Sequence, residues 1–113
     1  EYRGGSISPG LLMRYKSLKL MTASLPEIGP IKNVSKLIGA STQESIRSGV
    51  QYGIINEMEG IIRSYQKIFS ELTVVITGGD KIYFDEQLKN VIFADSNLVL
   101  FGLNKILLFN DLH

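Results

Sequence analysis

Apolar residues recur at helical spacing in two blocks of the chain, and between and after them the pattern changes period. In "LLMRYKSLKLMTA", Leu11, Leu12, Tyr15, Leu18 and Met21 fall on one side of a helix, and Pro9 just ahead suits a first turn. From Ser41 to Leu72, Ile46, Val50, Ile54, Met58, Ile61, Tyr65, Ile68 and Leu72 are spaced by threes and fours, which predicts the longest helix of the molecule. "SLPEIGPIKN", residues 24–33, separates the two, because Pro26, Gly29 and Pro30 forbid a continuous helix. "LTVVITGGD" is a β-branched run stopped by two glycines, as expected of a buried parallel strand ending in a tight turn. After it the pattern predicts a short helix over "KIYFDEQLK", a strand in "NVIFAD" and a buried helix in "GLNKILLFN". Strands interleaved with helices make an α/β or α+β domain.

The small and hydroxylated residues of "GASTQESIRSG" modify the long helix. Ser41 and Glu44 have the spacing of a capping box: the hydroxyl accepts from the N–H three residues on, and the carboxylate reaches back to the cap N–H. Thr42 is the next hydroxyl, at a helix N-terminus where free N–H groups favour a polar or anionic ligand. From spacing alone, cap and ligand site both remain open. Ser45, Ser48, Gly49 and Gly53 are small at helical spacing, which predicts close approach of another helix or backbone to offset the cost of helical glycine. Gly4 with Gly5 and Gly78 with Gly79 each follow a predicted strand, where glycine permits a tight turn or the approach of a phosphate. Asp80 is expected to cap the short helix that follows. Asp85 and Glu86 are sequence neighbours, diverge on a helix and form no catalytic pair.

Composition narrows the chemistry. The 113 residues suffice for one domain with a modest core. Hydrophobic residues make up 44% and charged residues 20%, with no apolar run of membrane-spanning length, so a membrane protein is not expected. Twelve basic and eleven acidic residues are spread evenly, with a net charge of +1, and no basic stripe suggests nucleic acid. The absence of cysteine excludes thiol catalysis and thiolate metal sites, and His113 alone builds no histidine cluster. Beginning at Glu1 without an initiator methionine, the sequence reads as a piece of something longer.

Taken in order, "GGSISPGLLMRYKSL", "TASLP", "IGASTQESIRSGVQYGIINEMEGII" and "VVITGGD" resemble the C-terminal half of a type III pantothenate kinase, in the acetate and sugar kinase, Hsp70 and actin superfamily. The resemblance covers nearly the whole chain. It implies a ribonuclease-H-like lobe, the second of an actin-like ATPase fold, incomplete at its N-terminal edge. It also implies transfer of the ATP γ-phosphate to pantothenate, the first step of coenzyme A biosynthesis, by a cytoplasmic homodimer using Mg²⁺ and a monovalent cation, K⁺ or NH₄⁺. On the same resemblance Thr42 contacts pantothenate, Gly4 and Gly5 border the second phosphate loop, and Gly78 and Gly79 lie on the adenosine side. The family's first phosphate loop, its Gly-x-Asp-Arg segment with the catalytic aspartate and its cation-binding aspartate do not occur here. The expectation is therefore half an enzyme, inactive and poorly folded alone. A non-catalytic dimerising accessory module, or a related kinase with another substrate, is the alternative.

Overall fold

The structure, a computed structural model, describes residues 4–77, 79–84, 87, 88, 92, 93 and 106–108. Gly78, Asp85, Glu86, His113 and the strand expected ahead of Gly4 lie outside the described residues.

Helix α1 spans Leu11–Leu20 and follows an extended Gly10 that offers no side-chain cap. Leu11 and Tyr15, four residues apart and therefore on one face, are buried, and Leu18 packs at the edge of the core. Leu12 and Met21, expected on that face, are exposed, as are Met13 and Leu20. The helix is apolar on two sides, and only one of them meets this chain's core.

Between α1 and the next helix, residues 25–40 have no regular structure. They are held by side chains of that helix: Arg47 Nε donates to the Gly29 carbonyl at 3.1 Å, and the Ser48 hydroxyl donates to the Leu37 carbonyl. Asn33 takes a positive φ of 51°, which asparagine tolerates better than most residues, and the adjoining Val34 is buried.

The long helix begins where its cap predicts. Ser41 is extended, its Oγ accepts from the Glu44 amide at 3.1 Å, and α2 follows over Thr42–Arg47. The Glu44 carboxylate does not close the box on Ser41; it accepts from the Ala40 amide at 3.2 Å and from Lys36 at 2.6 Å. Helical backbone continues without a break through a π-helical turn, Ser48–Tyr52, into α3, Gly53–Ile68. The π turn starts at Ser48 and Gly49, within the cluster of small residues. A β carbon added at Gly49 or Gly53 would meet nothing within 4 Å, so within this chain the expected close approach does not occur at either residue. It occurs instead at Gly39, which lies against Ser45.

Helical geometry stops at Ile68, short of the expected Leu72, because Phe69 turns extended to lead the chain toward the sheet. Its ring stacks on Tyr65 at a centroid distance of 6.4 Å, and Leu72 packs on the core from the connecting segment.

Strand β1, Val74–Ile76, is buried throughout and lies at the centre of a three-stranded sheet of order β2-β1-β3. It pairs in parallel with β2, Ile92–Phe93, and antiparallel with β3, Ile106–Leu108. The second pairing corrects the expectation of a helix in "GLNKILLFN": an apolar run suits either state, and pairing with Val74–Ile76, far away in sequence, decides for the strand. A 3₁₀ helix over Gly79–Tyr83 replaces the short α-helix expected there, and Asp80 sits inside its first turn rather than capping it. One core joins the layers, with Leu11 and Tyr15 of α1, Ile54 and Met58 of α3, Ile76 of β1 and Phe84 in a single buried cluster.

Candidate functional site

Where the start of the long helix meets α1 and the linker, three walls border an open cleft of about 860 Å³. The helix contributes Thr42, Ser45 and Gly49 to one wall, α1 contributes Arg14 and Leu18 to the second, and Leu25 and Gly39 of the linker form the third. Thr42 is exposed at this cleft, and its hydroxyl makes no hydrogen bond among the described residues. The first backbone bond of the helix runs from the Ser45 amide to the Ser41 carbonyl at 2.9 Å, and the Ser41 side chain takes the Glu44 amide. The amides of Thr42 and Gln43 therefore precede the first helical bond, and Thr42 is one of the residues that line the cleft. The two readings of this segment divide between neighbours: Ser41 caps, and Thr42 presents a free hydroxyl.

Apolar surface from Leu18, Leu25, Ile46 and Val50 lines the depth of the cleft. Its charge is restrained. Arg14 Nη2 lies 2.5 Å from Glu57 Oε2, the Ser8 hydroxyl donates to the same oxygen at 3.1 Å, and Arg14 Nε donates to the Pro9 carbonyl at 2.9 Å. The segment that follows Gly4 and Gly5 is thus tied to α1 and α3 through one carboxylate. A cleft with apolar walls and a few placed polar groups has the make-up of a small-molecule site.

Other residues singled out in the sequence lie elsewhere. Gly4 is exposed with φ 104°, a conformation that favours glycine, and neither it nor Gly5 lines the cleft. Gly79 is exposed at the start of the 3₁₀ helix and is also remote from the cleft lining. Asp80 beside it is half-buried, and burial pushes its carboxyl above the usual range. Among the described residues no group of three His, Cys, Asp or Glu comes close enough to hold a metal ion, so no metal-ligand set arises from them. No helix among the described residues is long and apolar enough to cross a membrane.

A residue that periodicity alone did not mark is Gln51. It is completely buried, and its carboxamide bonds to Tyr15 of α1 and to both backbone groups of Ile31. Burial pushes the Tyr15 phenol up to about 12, against the smaller opposing influence of the Arg47 charge. The available signal was a polar residue one step from the apolar stripe at Val50, beside a second inward row at Ile55, Met58 and Ile62.

A family model for type III pantothenate kinase matches residues 1–64. The chain belongs to the type III pantothenate kinase family. A type III pantothenate kinase of Christiangramia forsetii is 54% identical over 109 residues, covering 96% of this chain and 44% of that relative. Those of Phocaeicola vulgatus and Bacteroides fragilis are 49% and 46% identical, each over 45% of its own length. The chain therefore spans a little under half the length of the curated relatives it matches. The type III pantothenate kinase family has an actin-like ATPase fold. The residues matched by the family model include every wall of the cleft.

Proposed function

We propose that this chain is the C-terminal, ribonuclease-H-like lobe of a kinase that phosphorylates pantothenate with ATP, the first step of coenzyme A biosynthesis. The relatives carry the name pantothenate kinase at 39–54% identity, which favours the kinase over an accessory module or a kinase with another substrate. The observation that carries the site is the free hydroxyl of Thr42 beside the leading amides of the helix, at the mouth of a largely apolar cleft. Pantothenate has an aliphatic body, hydroxyls, an amide and a carboxylate, and that chemistry matches such a lining.

In the transfer, the primary hydroxyl oxygen of pantothenate bonds to the γ-phosphorus as its bond to the bridging oxygen breaks, and ADP leaves. Catalysis of such a step is mainly positioning and charge stabilisation. This lobe orients the acceptor: Thr42 and the cleft walls hold pantothenate, while Gly4 and Gly5 border the phosphates and Gly78 and Gly79 the adenosine. The described residues offer no group of three His, Cys, Asp or Glu for Mg²⁺; on the family resemblance, the carboxylates for the metal, the proton and the monovalent cation, K⁺ or NH₄⁺, come from family segments that this sequence does not contain. A cytoplasmic homodimer completes the reading. The exposed apolar side of α1, with Leu12, Met13 and Leu20, supports a second protein surface against it.

Steady-state kinetics of Thr42→Ala in the intact protein test the assignment. The KM for pantothenate rises about tenfold or more, while that for ATP stays within about twofold. Equal loss for both substrates, or none, removes Thr42 from the acceptor site. A wild-type protein that does not phosphorylate pantothenate overturns the kinase reading itself.

A further inference from the structure

The three walls of the cleft meet at one point outside it, where Gln51 and Tyr15 are buried and Ile31 is partly exposed. Gln51 Oε1 accepts from the Tyr15 hydroxyl at 2.5 Å and from the Ile31 amide at 3.1 Å, and its Nε2 donates to the Ile31 carbonyl at 2.8 Å. Tyr15 belongs to α1, which brings Arg14 and Leu18 to the cleft; Ile31 belongs to the linker, which brings Leu25 and Gly39; Gln51 belongs to the helix that begins at Thr42. Gln51 itself does not line the cleft.

A carboxamide that pairs with both the N–H and the C=O of one residue copies the pairing of a neighbouring strand, and so fixes that residue's position and its rotation together. Leucine would fill the same space without any of the three bonds, and would leave both Ile31 groups and the phenol unpaired. Packing alone therefore does not account for glutamine here. The π-helical turn contributes as well, since such turns re-aim side chains where an α-helix would keep its phase. Two consecutive residues are buried: Val50 at the cleft wall and Gln51 at the junction behind it.

We infer that Gln51 is a positioning residue that sets the width of the cleft at Thr42, and with it the fit of the acceptor substrate, without touching that substrate. The inference rests on the kinase reading above. It is tested in the intact protein with Gln51→Leu and Tyr15→Phe, assayed below the melting temperature of each variant. Gln51→Leu raises the pantothenate KM roughly tenfold with the ATP KM unchanged, and Tyr15→Phe, which keeps both bonds to Ile31, gives a smaller rise of the same selectivity. A lowered melting temperature with both KM values unchanged, or with both raised together, overturns the inference and leaves Gln51 a stability element. Should Gln51→Leu fail to fold, Tyr15→Phe decides alone, and an unchanged pantothenate KM there overturns it. A wild-type protein inactive on pantothenate counts against the kinase reading instead; the clamp is then judged by amide exchange across residues 37–42, which must quicken in Tyr15→Phe, and unchanged exchange overturns it.

Discussion

Gly39 and Ser45 are so close that a β carbon on Gly39 would stand 2.3 Å from the Ser45 amide nitrogen and 2.6 Å from its Cα. Both obstructing atoms are backbone in the first turn of the long helix, so neither can swing aside. The last linker residues therefore lie flat against the helix start, and this contact shapes the cleft mouth beside Thr42. Gly39→Ala must push the linker or the helix turn away, at about 1–3 kcal/mol of stability, the range for an added methyl in packed surroundings. Gly49→Ala, where the β carbon meets nothing, is neutral or gains up to about 1 kcal/mol from the lower entropy of the unfolded chain. Urea melts of the two variants in the intact protein check the contrast; equal effects would mean that the contact at Gly39 does not constrain the fold.

Alkaline titration isolates Tyr15. Its folded pKa is raised to about 12 by burial, whereas an unfolded tyrosine ionises near 10. Because the folded value is the higher, the protein holds the neutral phenol preferentially. That contribution to stability is fully present below about pH 10 and is lost as the pH rises through about 12. Ultraviolet absorbance of the phenolate should show a component that ionises late, together with unfolding, and Tyr15→Phe should remove that late component. An unchanged late component in the variant would assign it elsewhere.

The linker's other anchor is sensitive to acid. Glu44 has its pKa lowered, first by the hydrogen bond from Lys36 and then by the Ala40 amide and the Ser41 side chain, with partial desolvation working the other way. A depressed carboxylate contributes stability above its unfolded pKa and loses it as the pH falls through the folded one. Lys36→Met should raise the Glu44 pKa toward the ordinary carboxylate range, measured by carbon-detected NMR titration of its side chain. Salt should narrow the difference between wild type and variant, because the pair is solvent-accessible. A Glu44 value that is the same in both proteins would assign the shift to the backbone and Ser41 alone.

Much of the helical part was legible in the sequence because its determinants are local. The Ser41 cap, the start of the long helix and the buried stripe of Ile46, Val50, Ile54 and Met58 follow from a hydroxyl at the right spacing and from apolar residues returning every turn. β1 was legible for the same reason, as a β-branched run too short for a helix, and the order of motifs carried the family. Four features were not. The phase of the π turn, the clamp of Gln51 on Ile31, the crowding of Gly39 on Ser45 and the choice of strand over helix at Ile106–Leu108 each depend on a partner distant in the chain or folded back upon it. Spacing along one segment sets which face is apolar and where a helix can start. Which polar side chain is enclosed, and what it must then bond, is decided only when the segments pack together, because an unpaired amide is costly in a core and harmless in water.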